Sequence, residues 1–217
     1  MLSSIAILAA GLPLAVVLER LILRLTTMPF STLFQEDALA PRVLPWQTLR
    51  WRERLARTFA LSLPLLLALT ALRFEPPDVL VAGVVVVALV VCCATDLLAY
   101  RVPNIVTIPA LAFVLTAAAV SGIPELVDAS LGLAVCGGAM LVVAVLSRGG
   151  LGGGDVKLVA LIGAALGLPD APIALGAGIV AGSLVVIALH FTHALRRGDV
   201  FPYAPFLSVA ALVVLFL

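Results

Sequence analysis

Residues 79–95 read VLVAGVVVVALVVCCAT and contain no charged side chain. A helix that crosses the hydrocarbon core of a membrane needs about 17–25 mostly apolar residues, because roughly 30 Å must be covered at about 1.5 Å per residue. This stretch therefore predicts a membrane-spanning helix. The whole chain is 63% hydrophobic and 12% charged, whereas soluble domains average about 45–50% and about 25%. The composition excludes a soluble enzyme, a disordered segment and a nucleic-acid-binding domain.

Further segments are apolar enough to be spans, so the sequence predicts an all-α polytopic membrane bundle of about eight transmembrane helices. The predicted spans are Leu2–Leu18, Thr58–Leu72, Val79–Thr95, Ile105–Val120, Ala129–Ser147, Val156–Leu168, Ala171–Leu189 and Phe201–Leu217. The second segment is short and contains Pro64, and the sixth is short and rich in small residues. A re-entrant hairpin is an alternative for the sixth segment.

The positions of the basic residues predict how the bundle is oriented. With the amino terminus outside, every Lys and Arg except Arg73 falls at a cytoplasmic end, as the positive-inside rule requires. These residues are Arg20, Arg24, Arg42, Arg50, Arg52, Arg54, Arg57, Arg101, Arg148, Lys157, Arg196 and Arg197. We expect the first segment to be an anchor and not a cleaved signal peptide, because Arg20 and Arg24 follow its apolar stretch.

Charge and hydropathy divide the chain into three parts. They are the first transmembrane helix (residues 1–23), a cytoplasmic basic loop (residues 24–57) and a membrane-embedded core (residues 58–217). Beyond Pro45, Trp51 and Leu55 share one helical face while Arg50 and Arg54 share a neighbouring one. This pattern suits a helix at the membrane interface, with the arginines toward anionic lipid. A solvated basic loop is the alternative.

The cysteine and histidine residues show no spacing typical of a metal site. Cys92, Cys93 and Cys136 lie inside predicted spans, and neither a CxxC pair nor a His cluster occurs. We therefore expect the cysteines to be small packing residues. His190 and His193 are expected to be interfacial residues at the end of the seventh span, and no metal ligand is predicted.

Two aspartates stand where charged side chains are out of place. Asp96 follows the third span and Asp155 precedes the sixth, so the alternation of spans puts both at the cytoplasmic boundary. Ionisable side chains at this depth are costly and usually face a bundle interior or a water-filled cavity. Two carboxylates held close together there would share a proton, and such a pair can activate water while polarising a peptide carbonyl. The sequence shows equal depth but not proximity.

Residues that break helices surround both aspartates. The glycines among residues 149–154 lack a Cβ, so a substrate strand or another helix can approach their backbone closely. Pro103 followed by Asn104 forces a helix break soon after the first aspartate. The alternative is that both acids are interfacial loop charges, paired with Arg101 and Lys157.

Three motifs around these positions resemble those of the prepilin peptidases, the GxGD-type intramembrane aspartic proteases. They are Asp96 followed by Arg101-Val102-Pro103-Asn104, the run Gly152-Gly153-Gly154-Asp155-Val156-Lys157-Leu158, and the run Phe201-Pro202-Tyr203-Ala204-Pro205-Phe206-Leu207. In the last motif Tyr203 and Ala204 replace the family's usual Phe-Gly. The motifs occur in the family's order, each at the predicted cytoplasmic face, and the resemblance covers about Val79 to Leu217.

The resemblance implies a catalytic pair, Asp96 and Asp155, in a membrane-embedded aspartic peptidase core. The other matched residues would bind substrate or support the motifs, and they are Arg101, Pro103, Asn104, Gly152, Gly154, Lys157, Pro202 and Pro205. The substrate would be a type IV prepilin or a type II secretion pseudopilin, cut after a short basic leader at the cytoplasmic face of a bacterial inner membrane. Membrane lipids and a pilus or secretion assembly would be further partners, and nucleic acid would not.

The resemblance also bears on cofactors. Long members of the family carry a cytoplasmic domain with two CxxC pairs that bind zinc, and this domain is associated with S-adenosylmethionine-dependent methylation of the new amino terminus. Residues 24–57 contain no cysteine, so the resemblance implies no zinc in this chain. Peptidase activity would need no cofactor, and S-adenosylmethionine would be one only if methyltransferase activity is retained.

Two other functions fit the same residues. An ion-coupled transporter would use acids at membrane depth to bind a cation between glycine-broken helices, and it would show inverted repeats with acids near the bilayer midplane. The halves of this chain show no convincing repeat, and both acids lie at an edge. An inactive scaffold in a pilus or secretion assembly is the second alternative.

Overall fold

A computed structural model describes residues 2–27, 49–147, 152–192 and 201–217, and every regular element in these ranges is a helix. In chain order the helices are α1 (Leu2–Thr27), α2 (Leu49–Arg73), α3 (Asp78–Ala99), α4 (Asn104–Ser121), α5 (Leu126–Leu146), α6 (Gly153–Leu166), α7 (Asp170–Phe191) and α8 (Ala204–Phe216). The predicted all-α bundle is confirmed, and each predicted span falls on one of these helices.

The helices differ in whether they are long enough to cross a membrane. Among the described residues, five helices are sufficiently long and apolar, namely α2 from Glu53 onward, α3, α4, α5 and α7. Helices α6 and α8 have 14 and 13 residues, which leaves each roughly 10 Å short of a typical hydrocarbon core. Because α6 is one uninterrupted helix, the hairpin alternative for the sixth segment is wrong.

Helix α2 begins earlier than the sequence predicts. The expected basic loop of residues 24–57 is helical at both ends, since α1 continues to Thr27 and α2 starts at Leu49. A solvated loop is therefore wrong for residues 49–57, which continue without a break into the following span. Residues 28–48 lie outside the described ranges.

Helices α1 and α2 pack against each other and join the bundle through α3. Leu18, Ile22 and Leu63 are buried in the apolar cluster that these three helices form. Near its basic end α2 also contacts α1 through Arg57, whose Nε donates a 3.0 Å hydrogen bond to Glu19 Oε1. An exposed ion pair of this kind contributes only about 0–1 kcal/mol, so apolar packing holds the two helices together.

Helix α3 is the central helix of the bundle. It contacts α1, α2, α4, α6 and α8, and 14 of its 22 residues are buried. A helix that is apolar on all sides can be surrounded in this way, because no face needs water. Cys92 and Cys136 belong to the larger of the two apolar clusters that α3 enters, and Cys93 is also buried, which confirms the cysteines as packing residues. Asp96 lies in the last turns of this helix.

Helices α5 and α6 cross at glycines that bring their backbones into contact. A methyl group at Gly132 would overlap the carbonyl oxygen of Gly163, and a methyl group at Gly163 would overlap that of Gly132. One turn of α5, Leu133–Gly137, is a π-helix at this crossing, and a Cβ at Gly137 would lie 3.0 Å from the Cβ of Ala160. The crossing fixes the position of α6, the helix that carries Asp155 in its first turn.

Replacing Gly163 with alanine is expected to destabilise the bundle. The added Cβ would collide with the backbone of α5, and overpacking of this kind costs about 1–3 kcal/mol. Thermal unfolding of the purified protein in detergent measures the change.

The matched control is Gly176→Ala on α7, where an added Cβ meets nothing within 4 Å. It should leave the midpoint unchanged or raise it slightly, since alanine favours a helix over glycine by about 1 kcal/mol. Equal midpoints for both variants would contradict the backbone contact.

Candidate active site

The carboxyl end of α3 places Asp96 inside the bundle. The residue is only 6% exposed. The helix ends three residues later at Ala99. The next residue, Tyr100, adopts a left-handed conformation with φ of 52° and donates its N–H to the Asp96 carbonyl oxygen at 2.8 Å. Pro103 then adopts an extended conformation and α4 begins at Asn104. This tight link, in which Arg101 is half-buried, keeps the end of α3 next to the start of α4.

The amino end of α6 places Asp155 in the first turn of that helix. Gly152 is extended and precedes the helix, and the Asp155 N–H donates to its carbonyl oxygen at 3.1 Å. Gly154 faces the α3–α4 link, where a Cβ would lie 2.9 Å from the Cβ of Val102. Glycine is therefore required at Gly154, because a side chain would push α6 away from the end of α3.

Asp155 contributes to the electrostatic surroundings of Asp96, although 59 positions separate them (155 − 96). Asp96 is buried and Asp155 is half-buried. Water screens charges weakly at such positions, so a proton on one carboxyl group affects the other. The structure thus brings together the two segments that carry the aspartates, which the sequence alone does not show.

A side-chain hydrogen bond joins the first two motif segments. Lys157 Nζ, one turn into α6, donates to Asn104 Oδ1 at the start of α4 at 2.8 Å. The contact is partly buried, and it ties α6 to the helix that follows the α3–α4 link. Lys157 and Asn104 therefore hold together the two segments that carry the aspartates.

The third motif segment reaches Asp96 through its backbone. The N–H of Ala204 donates a buried 3.0 Å hydrogen bond to Asp96 Oδ2. Ala204 is the first residue of α8, where backbone N–H groups have no partner within the helix, and the carboxylate of α3 provides an acceptor. Pro202 is buried just before the helix, and Pro205 lies in its first turn.

Sequence reasoning missed two contributions to this site. It treated Ala204 as a departure from a motif, although its amide contacts Asp96, and it gave Val102 no role, although Gly154 packs against it. The sequence does indicate that the start of α8 needs a partner, because a helix that starts at membrane depth needs acceptors for its free N–H groups. No comparable signal marks Val102.

Histidine and cysteine contribute no metal site in the part of the chain that the structure describes. No group of three or more His, Cys, Asp or Glu side chains there could hold a metal ion. His190 is exposed near the end of α7, and His193 lies outside the described residues. The chemistry that the described site offers is that of two carboxyl groups and a backbone N–H donor.

These features define a class of protein: a multi-pass helical membrane protein with one buried and one half-buried carboxyl group near each other at one end of its bundle. Comparison with known proteins adds the family. Residues 83–187 match the type IV leader peptidase family. The prepilin leader peptidase/N-methyltransferase of Bacillus subtilis (strain 168) is 30% identical over 149 residues, which are 68% of this chain and 60% of that protein. Over these residues the chain is similar to the type IV leader peptidase family.

The matches cover only part of this chain and part of the Bacillus protein. The chain spans about 60% of the length of the Bacillus protein. The family match includes Asp96 and Asp155, whereas Ala204 lies beyond its last residue. No solved structure matches the chain. The contact between Ala204 and Asp96 is therefore seen in the structure and lies outside the family match.

Lys157 and Asn104 are expected to be coupled in their effect on stability. Lys157→Met and Asn104→Ala each remove one partner of the same hydrogen bond, so the double variant should be less destabilised than the sum of the single variants by about 1 kcal/mol. Chemical or thermal unfolding in detergent measures this coupling.

Thr116→Ala is the matched control. Thr116 donates to Ala112 within α4 and is exposed, so its effect should simply add to that of Lys157→Met. Additive effects of Lys157→Met and Asn104→Ala would contradict the contact.

Proposed function

We propose that this protein is an aspartic endopeptidase that cuts membrane-embedded prepilin-like substrates, with Asp96 and Asp155 as its catalytic residues. The observation that carries the proposal is the convergence of three motif segments around Asp96 and Asp155, with Asp96 held by the Ala204 amide and within electrostatic reach of Asp155. Similarity to the type IV leader peptidase family supports the reaction class.

In the proposed reaction the two carboxyl groups share one proton. The ionised group takes a proton from water, the water oxygen adds to the carbonyl carbon, and the neutral group gives its proton to the carbonyl oxygen. The resulting gem-diol collapses when the first group passes its proton to the amide nitrogen and the second regains one from a hydroxyl group. The carbon–nitrogen bond then breaks, the amine leaves, and the pair returns to its starting state.

The space beside Asp155 supports access by an extended peptide. Gly152 and Gly153 are exposed, and a Cβ at Gly153 would meet nothing within 4 Å. Backbone without side chains allows another strand to approach closely. A substrate backbone lying along these glycines would pass next to the carboxyl group of Asp155.

The position of the pair supports the choice of substrate class. Both aspartates lie at the end of the bundle that the basic residues predict to be cytoplasmic. A substrate with a short basic leader ahead of an apolar helix would have its scissile bond at that same boundary. We propose type IV prepilins or type II secretion pseudopilins as substrates, and a bacterial inner membrane as the location.

Replacing Asp96 or Asp155 with asparagine is expected to abolish processing. Asparagine keeps the shape of the side chain but cannot exchange a proton, and loss of an acid–base group costs roughly 10²–10⁴-fold in rate. Co-expression with a prepilin, followed by a gel shift for leader removal, measures the loss.

Asp170→Asn is the matched control, because Asp170 is exposed and begins α7 at the far end of α6. It should process normally. Normal processing by both Asp96→Asn and Asp155→Asn would overturn the assignment, and proton or sodium uptake into liposomes that depends on Asp155 would favour a transporter instead.

We propose further that cleavage in this protein proceeds without zinc and without methylation. Residues 24–57 contain no cysteine that could hold zinc, whereas the Bacillus relative is named as an N-methyltransferase as well as a peptidase. A zinc chelator should leave leader removal unchanged.

Mass spectrometry of the mature product, with S-adenosylmethionine supplied, should give an unmodified amino terminus. A product heavier by one methyl group would contradict this part of the proposal while leaving the peptidase assignment intact.

A further inference from the structure

Tyr203 links α7 to the segment that contacts Asp96. Its hydroxyl is 2.8 Å from the hydroxyl of Ser183 on α7, within hydrogen-bonding distance. The ring packs on backbone, because a Cβ at Gly182 would lie 3.0 Å from Tyr203 Cε1. Phe201 covers another side of the ring, with the ring centroids 5.9 Å apart and nearly perpendicular. Both the ring and the hydroxyl of Tyr203 are therefore held in place.

The residue after Tyr203 is the one that donates to Asp96. Pro202 and Pro205 flank Tyr203 and Ala204, and each proline ring restricts its own φ and the residue before it. A backbone restricted on both sides has little freedom to absorb a displaced tyrosine ring. Movement of Tyr203 is therefore passed to the Ala204 amide, which lies 3.0 Å from Asp96 Oδ2.

We propose that Tyr203 is a positioning residue, whose hydrogen bond to Ser183 holds the Ala204 amide on Asp96 Oδ2. This inference rests on the proposed function, in which Asp96 exchanges protons during cleavage. With Oδ2 engaged by the amide, Oδ1 is the oxygen that meets water and substrate. A carboxyl group free to rotate would present either oxygen and would spend less time in the reactive geometry.

The test uses the full-length protein in detergent, with a purified prepilin as substrate and single-turnover and steady-state measurements. Tyr203→Phe and Ser183→Ala each remove one hydroxyl and keep the rest of the contact. Each should lower kcat by about two- to tenfold, as expected for one hydrogen bond, with KM and the unfolding midpoint unchanged. The double variant should lose no more than either single variant, because both remove the same bond.

Two further variants sharpen the result. Ser183→Thr keeps a hydroxyl at this position and should restore kcat. Ser121→Ala, the matched control, removes an exposed serine hydroxyl that donates to Ala117 within α4 and should leave kcat unchanged. Hydrogen exchange provides a measurement independent of catalysis, since the Ala204 amide should exchange faster in Tyr203→Phe and Ser183→Ala.

Several outcomes would overturn the positioning role. They are an unchanged kcat in both single variants, losses that add in the double variant, losses that follow a lower unfolding midpoint, and an unchanged exchange rate at Ala204. The proposed function fails separately, if the wild-type protein leaves the prepilin intact or if Asp96→Asn still cleaves it, and the positioning role then fails with it. If the wild-type protein cleaves the prepilin and Asp96→Asn does not, but Tyr203→Phe and Ser183→Ala cleave as fast as wild type, the peptidase proposal stands and the positioning role is wrong.

Discussion

The hydrogen bond from the Ala204 amide to Asp96 Oδ2 is the contact on which the arrangement of this site depends. A carboxyl group at membrane depth needs a partner from the protein, and so does the first free N–H group of a helix. Each satisfies the other here, so the end of α3 and the start of α8 meet although 108 positions separate them. Removing either partner would leave the other buried and unsatisfied, which costs about 1–3 kcal/mol.

Helix positions could be predicted from the sequence because they depend on hydropathy, which is a local property. Every predicted span lies on a helix, and the charge-free run at Val79–Thr95 lies on the most buried of the five described helices that are long enough to span a membrane. A helix beyond Pro45 is one of two alternatives that the sequence predicts, but the sequence does not show that this helix and the second span form one helix from Leu49 to Arg73. The π turn at Leu133–Gly137 could not be predicted from the sequence, since it accompanies a crossing with α6 that only the packed bundle defines.

The site was partly predictable for a similar reason. The parity of spans places Asp96 and Asp155 at one depth, but rotation of each helix about its own axis decides whether the two face each other. That rotation is set by contacts such as Gly154 against Val102 and Lys157 with Asn104. Backbone donors leave no residue type to recognise, so the sequence indicates that the start of α8 needs an acceptor, and only the fold identifies Asp96 as that acceptor.

The surroundings of the two aspartates differ in a way that suits the proposed reaction. Asp96 is enclosed on a central helix and fixed by a backbone donor, whereas Asp155 begins a shorter helix beside the exposed Gly152 and Gly153. Proton exchange needs a pair with fixed geometry, and proteolysis also needs an extended backbone to reach that pair. An enclosed pair would exclude the substrate, and two mobile acids would seldom be aligned. One carboxyl group on the rigid core and one at an open edge satisfy both requirements.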